Sequence, residues 1–377
     1  MSYNTIICEN TQWIDSVWKK LDKKLSVTSL KSRDKIPYTT QNGIHDNRAE
    51  GERITSWTNG FWGGLMWLMY AGTGKEEYKT TAKKAEKIMD NAFNYVHRLH
   101  HDVGFMWHIM SGASYRLTGD MESRNRNLLA AQLLMGRYNV DGGYIVAWNG
   151  EEKRGWTIID TMMNIPLLYW ATEETGDERF AMVAKHHADM TLQNHVRPDG
   201  SVVHIVSHHL SRPDVIETFG GQGYGVGSCW SRGTAWAIYG FVLSYIHTGD
   251  EKYLDAAKEI AHYFIANSAG THWLPKVDFR APDEPLCYDS TASVITACGL
   301  IEIAKHVHEY EQDLYLNAAI NLLKAAECNW CNWDENEDSI LQNGTVRYGT
   351  EPEPIIYGDF FFTEAILKLK GSEFLPW

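Results

Sequence analysis

The sequence predicts an all-α (α/α)6 barrel, six inner helices ringed by six outer ones, and three observations carry that prediction. Nearly the same turn recurs four times, as "TGKEEY" at 73, "TGDMES" at 118, "TGDERF" at 175 and "TGDEKY" at 248. Glycine in the left-handed C-cap ends one helix, and acidic residues at the start of the next suit its dipole. The segments on either side of these turns differ in kind, and longer connections with turn and strand-forming residues separate one pair from the next.

In chain order, "GFWGGLMWLMYAG" (60–72) is apolar nearly all round and predicts a buried inner helix. An aromatic-rich helix follows "HHDVGF", and another inner helix is expected within "GWTIIDTMMNIPLLYW" (155–170). "CWSRGTAWAIYGF" and "SVITACGLIEIA" (293–304) continue the inner set. "KYLDAAKEIAHYFIANS" (252–268) instead has apolar residues at helical spacing with charges opposite, as an outer helix requires. After the amphipathic helices come "DVGFMWH" (102), "DGGYIVAW" (141), "DGSVVHI" (199), "GTHWLPKVDF" (270) and "DSILQNGTV" (338), each expected to be a long loop with a short strand. About six pairs fit between 9 and 370, and residues 1–377 are read as a single catalytic domain. An open helical solenoid is the alternative that the repeat also permits. In a barrel the TG turns gather at one end and the long loops at the other, where function is expected.

Composition narrows the function. Thirty-five Lys+Arg against 48 Asp+Glu give a net charge of −13, with no long basic run, which argues against nucleic acid. No apolar run reaches the roughly 18 residues of a membrane helix. The first residues lack the basic and apolar stretches of a signal peptide, and six cysteines are too few for a disulfide framework, so a reducing cytoplasm is expected. "CNWC" (328–331) lacks the second ligand pair of a structural zinc site and the context of a redox motif. No metal is expected.

Two aspartates stand out at the long-loop end. Asp102 precedes a helix in "HHDVGF", where an Asx turn is an equally good reading. His100 and His101 are expected to point apart. Asp160 is flanked by Ile158, Ile159 and Met162, and such neighbours disfavour the ionised form, as a general acid needs. A helix-terminal acid or a buried partner of an arginine is its plainer role. Spacing puts Trp156, Asp160 and Asn164 on one face if the segment is helical. Trp57, Trp107, Trp148, Trp230 and Trp236 fall where long loops meet inner helices, and aromatic faces beside carboxylates suit sugar rings. Arg232 between two tryptophans offers a guanidinium fork for a sugar acid.

"SWTNGFWGGLMWL", "HHDVGFMW", "VAWNG" with "IIDTMMNIPLL", "CWSRGTAWAIYGF" and "DSTASVITACGLIEIA" together resemble the unsaturated glucuronyl hydrolases of glycoside hydrolase family 88. The resemblance runs in the same order from about 50 to 370. It implies an enzyme that removes a C4=C5 unsaturated uronic acid from the non-reducing end of lyase-generated oligosaccharides by hydrating the double bond. It further implies Asp160 as general acid and base, Asp102 as the second essential carboxylate, and Gly104 as the residue that allows the bend. Trp57, Phe61, Trp148, His204, Gln222, Trp230, Arg232 and Trp236 would bind substrate, with no cofactor. Some relatives have a His-Gln pair where this chain reads "GGQGYG", so Gly221 stands in place of an imidazole. An unsaturated rhamnogalacturonyl hydrolase, a non-catalytic carbohydrate-binding barrel and a sugar epimerase are the competing readings. The aglycone and the oligomeric state are not legible. In the last loop, Thr345, Arg347 and Thr350 beside two glutamates suggest unsulfated or lightly sulfated substrates.

Overall fold

A computed structural model describes residues 3–212 and 214–377. The inner ring comprises α2 (Gly60–Thr73), a π-helix Gly104–Gly112 continued by α4 (Ala113–Thr118), α6 (Pro166–Thr175), α8 (Ser231–Thr248), α10 (Ser290–His306) and α12 (Ile356–Leu369). Outside it lie α1 (Tyr3–Lys31), α3 (Glu76–Met89), α5 (Met121–Met135), α7 (Glu178–His195), α9 (Glu251–Ala269) and α11 (Glu309–Trp330). Consecutive inner helices pack side by side and α12 closes on α2, so the ring is shut. This is the (α/α)6 barrel, not the open solenoid.

Burial separates the two rings as the residue patterns require. Every residue of α8 from Ser231 to Ser244 and of α10 from Ser290 to Ala304 is buried. In α9 the buried set is Tyr253, Leu254, Ala256, Ala257, Ile260, Ala261 and Phe264, one stripe with solvent opposite.

All four TG turns end their helices as expected. Gly74, Gly119, Gly176 and Gly249 have φ between 67° and 73°, a conformation in which any other residue pays for its Cβ. Asp120, Asp177 and Asp250 then cap the next helix by accepting from backbone N–H groups of Glu122, Arg179 and Lys252. The α10–α11 connection runs through Val307 and His308 without glycine, so the TG pattern does not reveal it. At this end Trp377 stacks on Phe361 at 5.8 Å and donates to Glu364 at 3.1 Å, while Arg116 holds the Leu375 and Trp377 carbonyls.

The long loops are less regular than expected. Two hairpins, β1 (Thr40–Gln41) with β2 (Ile44–His45) and β3 (Tyr138–Asn139) with β4 (Tyr144–Ile145), are short. An antiparallel sheet joins β5 (Trp156–Ile158), β6 (Ile205–His208) and β7 (Val215–Phe219) in that order. The segments at 270 and 338 form only isolated bridges, and "DVGFMWH" runs into the π-helix rather than a strand. All six cysteines are unpaired, with Cys331 just beyond α11. No helix among the described residues is long and apolar enough to cross a membrane.

Candidate active site

At the long-loop end a cleft of about 1180 Å³ is lined by Trp57, Trp148 and Trp156 together with His97, His100, His204, Gln222 and Arg347. Five basic side chains, Arg48, Arg53, Arg98, Lys153 and Arg347, line it against two acids, Asp46 and Glu52. The cleft therefore inverts the sign of the chain as a whole.

Both aspartates sit one side chain behind this lining. Asp160 is 8% exposed and its Oδ2 lies 3.5 Å from Nε2 of His204; Asp102 is 7% exposed and its Oδ2 lies 3.4 Å from Nδ1 of His100. Asn164 joins them, its side-chain amide donating to Asp102 Oδ1 and to the Asp160 carbonyl, each at 3.2 Å. Burial, then the nearby Asp160 carboxylate, pushes Asp102 well above the usual carboxylate range, while the Asn164 hydrogen bond opposes that shift.

The local structure around Asp160 differs from the expected helix. Ile158 ends β5, Ile159–Met163 is a single 3-10 turn, and α6 starts only at Pro166, the favoured N1 residue. Trp156 thus belongs to a strand paired with Ser207, not to a helical face with Asp160. Asn164 meets Asp160 because it closes the turn. Ile159 and Met162 enter the barrel core, so the apolar neighbours lie on the far side of the turn from His204.

Gly104 has a different reason from a bend. A Cβ there would come within 2.6 Å of Asn164 Oδ1 and 2.7 Å of its Cα, so glycine is what lets Asn164 approach. The same Oδ1 accepts the Phe105 N–H at 2.8 Å. His100 and His101, expected to diverge, stack with ring centroids 5.3 Å apart, and both turn a nitrogen towards Asp102.

His204 receives the Gln222 N–H on Nδ1 at 2.9 Å, which places its own proton on Nε2, facing Asp160. Its ring packs on Trp230 at 4.2 Å, and Gln222 is anchored by donating to the Val346 carbonyl. The ring also explains Gly221: at φ 60°, a Cβ there would lie 2.2 Å from His204 Nδ1. The imidazole of residue 204 fills the space that a side chain at 221 would need.

Several sequence-derived candidates lie elsewhere than expected. Phe61 and Trp236 have no exposed surface and pack around Phe105, Tyr357 and Phe361 on the barrel axis, under Trp57 rather than in the cleft. Trp107 is likewise core, stacked on Phe93 at 4.5 Å. Trp230 is 2% exposed and supports His204 from behind. Arg232 does not offer a free fork: one terminal nitrogen donates to Asp289 and the Thr345 carbonyl at 2.5 and 2.6 Å, the other to the Val346 carbonyl at 2.8 Å. It holds the last long loop in place. Of the three polar candidates in that loop, Arg347 lines the cleft, whereas the Thr345 hydroxyl donates to Tyr288 and that of Thr350 to the Arg347 carbonyl. Thr161 and Asn149 are structural members that the sequence did not single out; Thr161 Oγ1 lies 2.9 Å from His101 Nδ1, and Asn149 ties down the carbonyls of His97 and Leu99.

Known proteins resemble this chain in sequence and fold. The family described as Glycosyl Hydrolase Family 88 matches residues 30–245, more than half of the chain. An unsaturated glucuronyl hydrolase from Bacillus sp. (strain GL1) is 36% identical over 330 residues, covering 84% of this chain and 86% of that protein. An unsaturated chondroitin disaccharide hydrolase from Streptococcus pneumoniae is 32% identical, covering 97% and 93%. The crystal structure of unsaturated glucuronyl hydrolase from Bacillus sp. GL1 superposes with a TM-score of 0.85 at 32% identity, covering 94% of this chain and 97% of that one. With the barrel, the paired aspartates and this similarity along nearly its whole length, the chain belongs to glycosyl hydrolase family 88.

Proposed function

We propose that the chain is an unsaturated glucuronyl hydrolase, releasing a Δ4,5-unsaturated glucuronic acid from the non-reducing end of lyase-generated oligosaccharides. The observation that carries this reading is the pair of buried aspartates, Asp102 and Asp160, tied together through Asn164, which bonds the Asp102 carboxylate and the Asp160 backbone carbonyl, beneath a tryptophan-lined basic cleft. Indole faces at Trp57, Trp148 and Trp156 suit the apolar faces of sugar rings, and the five basic side chains suit an anionic oligosaccharide.

Burial and the Asp160 carboxylate favour the protonated form of Asp102, which Asn164 ties to the Asp160 backbone, and the reaction needs one proton from these side chains. Asp160 delivers it to C4 of the vinyl ether, leaving positive charge shared between C5 and the ring oxygen. Water then adds at C5 and returns a proton to Asp160, so the carboxyl is regenerated. The hemiketal at C5 opens to a ketone, the ring oxygen becomes a hydroxyl on C1, and C1 collapses to an aldehyde as the aglycone leaves. Asp102 holds the ring in place, and His204 turns Nε2 towards the Asp160 carboxylate at 3.5 Å. Water attacks at C5 rather than at the anomeric carbon, so the carboxylate spacing does not set inversion or retention.

Ring closure between α12 and α2 supports reading residues 1–377 as one catalytic unit, and the six unpaired cysteines agree with a reducing cytoplasm. Glycosaminoglycan or exopolysaccharide fragments fit the cleft, with Arg347 the basic contact offered by the last loop. The test is a panel of lyase-generated disaccharides: the ultraviolet absorbance of the conjugated alkene falls on adding enzyme, and a panel with no loss on any uronic substrate contradicts the reading.

A further inference from the structure

We propose that His100, His101 and Asp102 form a binding site for one divalent cation of the zinc class, and that this cation inhibits the enzyme by occupying Asp102. His100 Nδ1 and His101 Nε2 lie 3.4 and 3.3 Å from Asp102 Oδ2, and one ligand atom from each of the three residues falls within 4.8 Å of the others. In a tetrahedral shell with bonds of about 2.0–2.1 Å, neighbouring ligand atoms stand roughly 3.3–3.4 Å apart. Two edges therefore match such a shell, and the His100–His101 edge lies within 4.8 Å.

The contacts are not hydrogen bonds. Both nitrogens are buried and neither has a hydrogen-bond partner among the described residues. Two unpartnered imidazole nitrogens and one carboxylate oxygen thus converge on one buried point. Thr161 Oγ1, 2.9 Å from His101 Nδ1, is the outer partner that fixes that ring, as is usual for a ligating histidine. Two nitrogens and one oxygen suit zinc, copper, nickel or cobalt better than magnesium or calcium. Arg137 opposes the cation with one positive charge, but Asp102 and Asp160 set two carboxylates against it. Access is through the cleft, which His100 lines.

The cation site stands on this geometry alone; the inhibition rests on the catalytic reading above. Full-length protein stripped with a chelator is titrated with zinc chloride alone in a calorimeter, and bound cobalt is followed by its visible absorption. One zinc per chain is expected, with affinity at least tenfold weaker in His100→Gln and His101→Gln, each checked for folding by circular dichroism. Loss of alkene hydration follows the same zinc midpoint, and chelator restores it. No saturable zinc binding by the wild-type chain overturns the site, as does unchanged affinity in both folded variants. If the variants do not fold, the wild-type stoichiometry and cobalt spectrum decide. Zinc bound at one equivalent with turnover unaltered overturns the inhibition. A chain that binds zinc yet hydrates no alkene refutes the catalytic reading and leaves the site standing.

Discussion

Asn164 ties the Asp102 carboxylate to the Asp160 backbone, donating at 3.2 Å to Asp102 Oδ1 and at 3.2 Å to the Asp160 carbonyl. One amide thus registers the π-helix against the 3-10 turn. Asn164→Ala removes both donors and the acceptor for the Phe105 N–H. It is expected to lower kcat by about tenfold or more and to cost about 1–3 kcal/mol of stability from the stranded polar groups. Steady-state kinetics with a denaturant midpoint check both, and unchanged kcat would show that the two carboxylates do not depend on this bridge.

Gly104→Ala tests the same contact from the other side. The added methyl would meet Asn164 backbone and side-chain atoms at 2.6–2.8 Å, so the π-helix and the 3-10 turn must part. A loss of about 1–3 kcal/mol is expected from overpacking, read as a lower urea midpoint at constant slope. A midpoint equal to wild type means that the segment yields freely.

Arg232→Met separates anchoring from recognition. Asp289 is fully buried and loses its ion pair, the Thr345 carbonyl loses its Arg232 donor, and the Val346 carbonyl keeps only Gln222. Breaking a buried pair from one side costs about 3–5 kcal/mol. Thermal unfolding should therefore move well below wild type, and a variant of unchanged stability with only a raised KM would return Arg232 to direct substrate binding.

Acid should destabilise the fold through His187 and His195, which burial holds down at about 3. Their folded values lie below the unfolded value near 6.5, so the unfolded chain takes up protons first. Stability is fully present above about pH 6.5 and falls as the pH drops from there towards 3, by up to roughly 1.4 kcal/mol per pH unit for each histidine. Urea midpoints between pH 7 and 4.5 measure the slope, and His195→Gln should flatten it. An equal slope in that variant assigns the acid sensitivity to other groups, among them His45, His100 and His108, which burial also holds down.

Local signals carried most of the barrel. Gly74, Gly119, Gly176 and Gly249 needed only the next residue or two to declare a turn, and the outer helices declared their solvent face. The inner helices are apolar all round, so their periodicity is silent on which side faces the cleft; Phe61 and Trp236 turned to the axis, and Arg232 turned to Asp289. The 156–164 spacing matched a helix by coincidence, because pairing of Trp156–Ile158 with β6 depends on residues fifty positions away. His100 and His101 share a direction because the chain turns sharply at His101, whose N–H donates to the Ala147 carbonyl. Gly221 became intelligible only once His204 was seen in its space.

The central claim is that the Asp102–Asp160 pair delivers a proton to an alkene carbon, and Asp160→Asn tests it most directly because size and shape are kept. With a lyase-generated Δ4,5 disaccharide, ultraviolet absorbance is followed in wild type and variant, alongside calorimetric binding of the same sugar. The account predicts that absorbance loss falls by at least about a thousandfold (~4 kcal/mol of transition-state stabilisation) while affinity stays within a few fold. A variant that removes the alkene at near wild-type rate contradicts it.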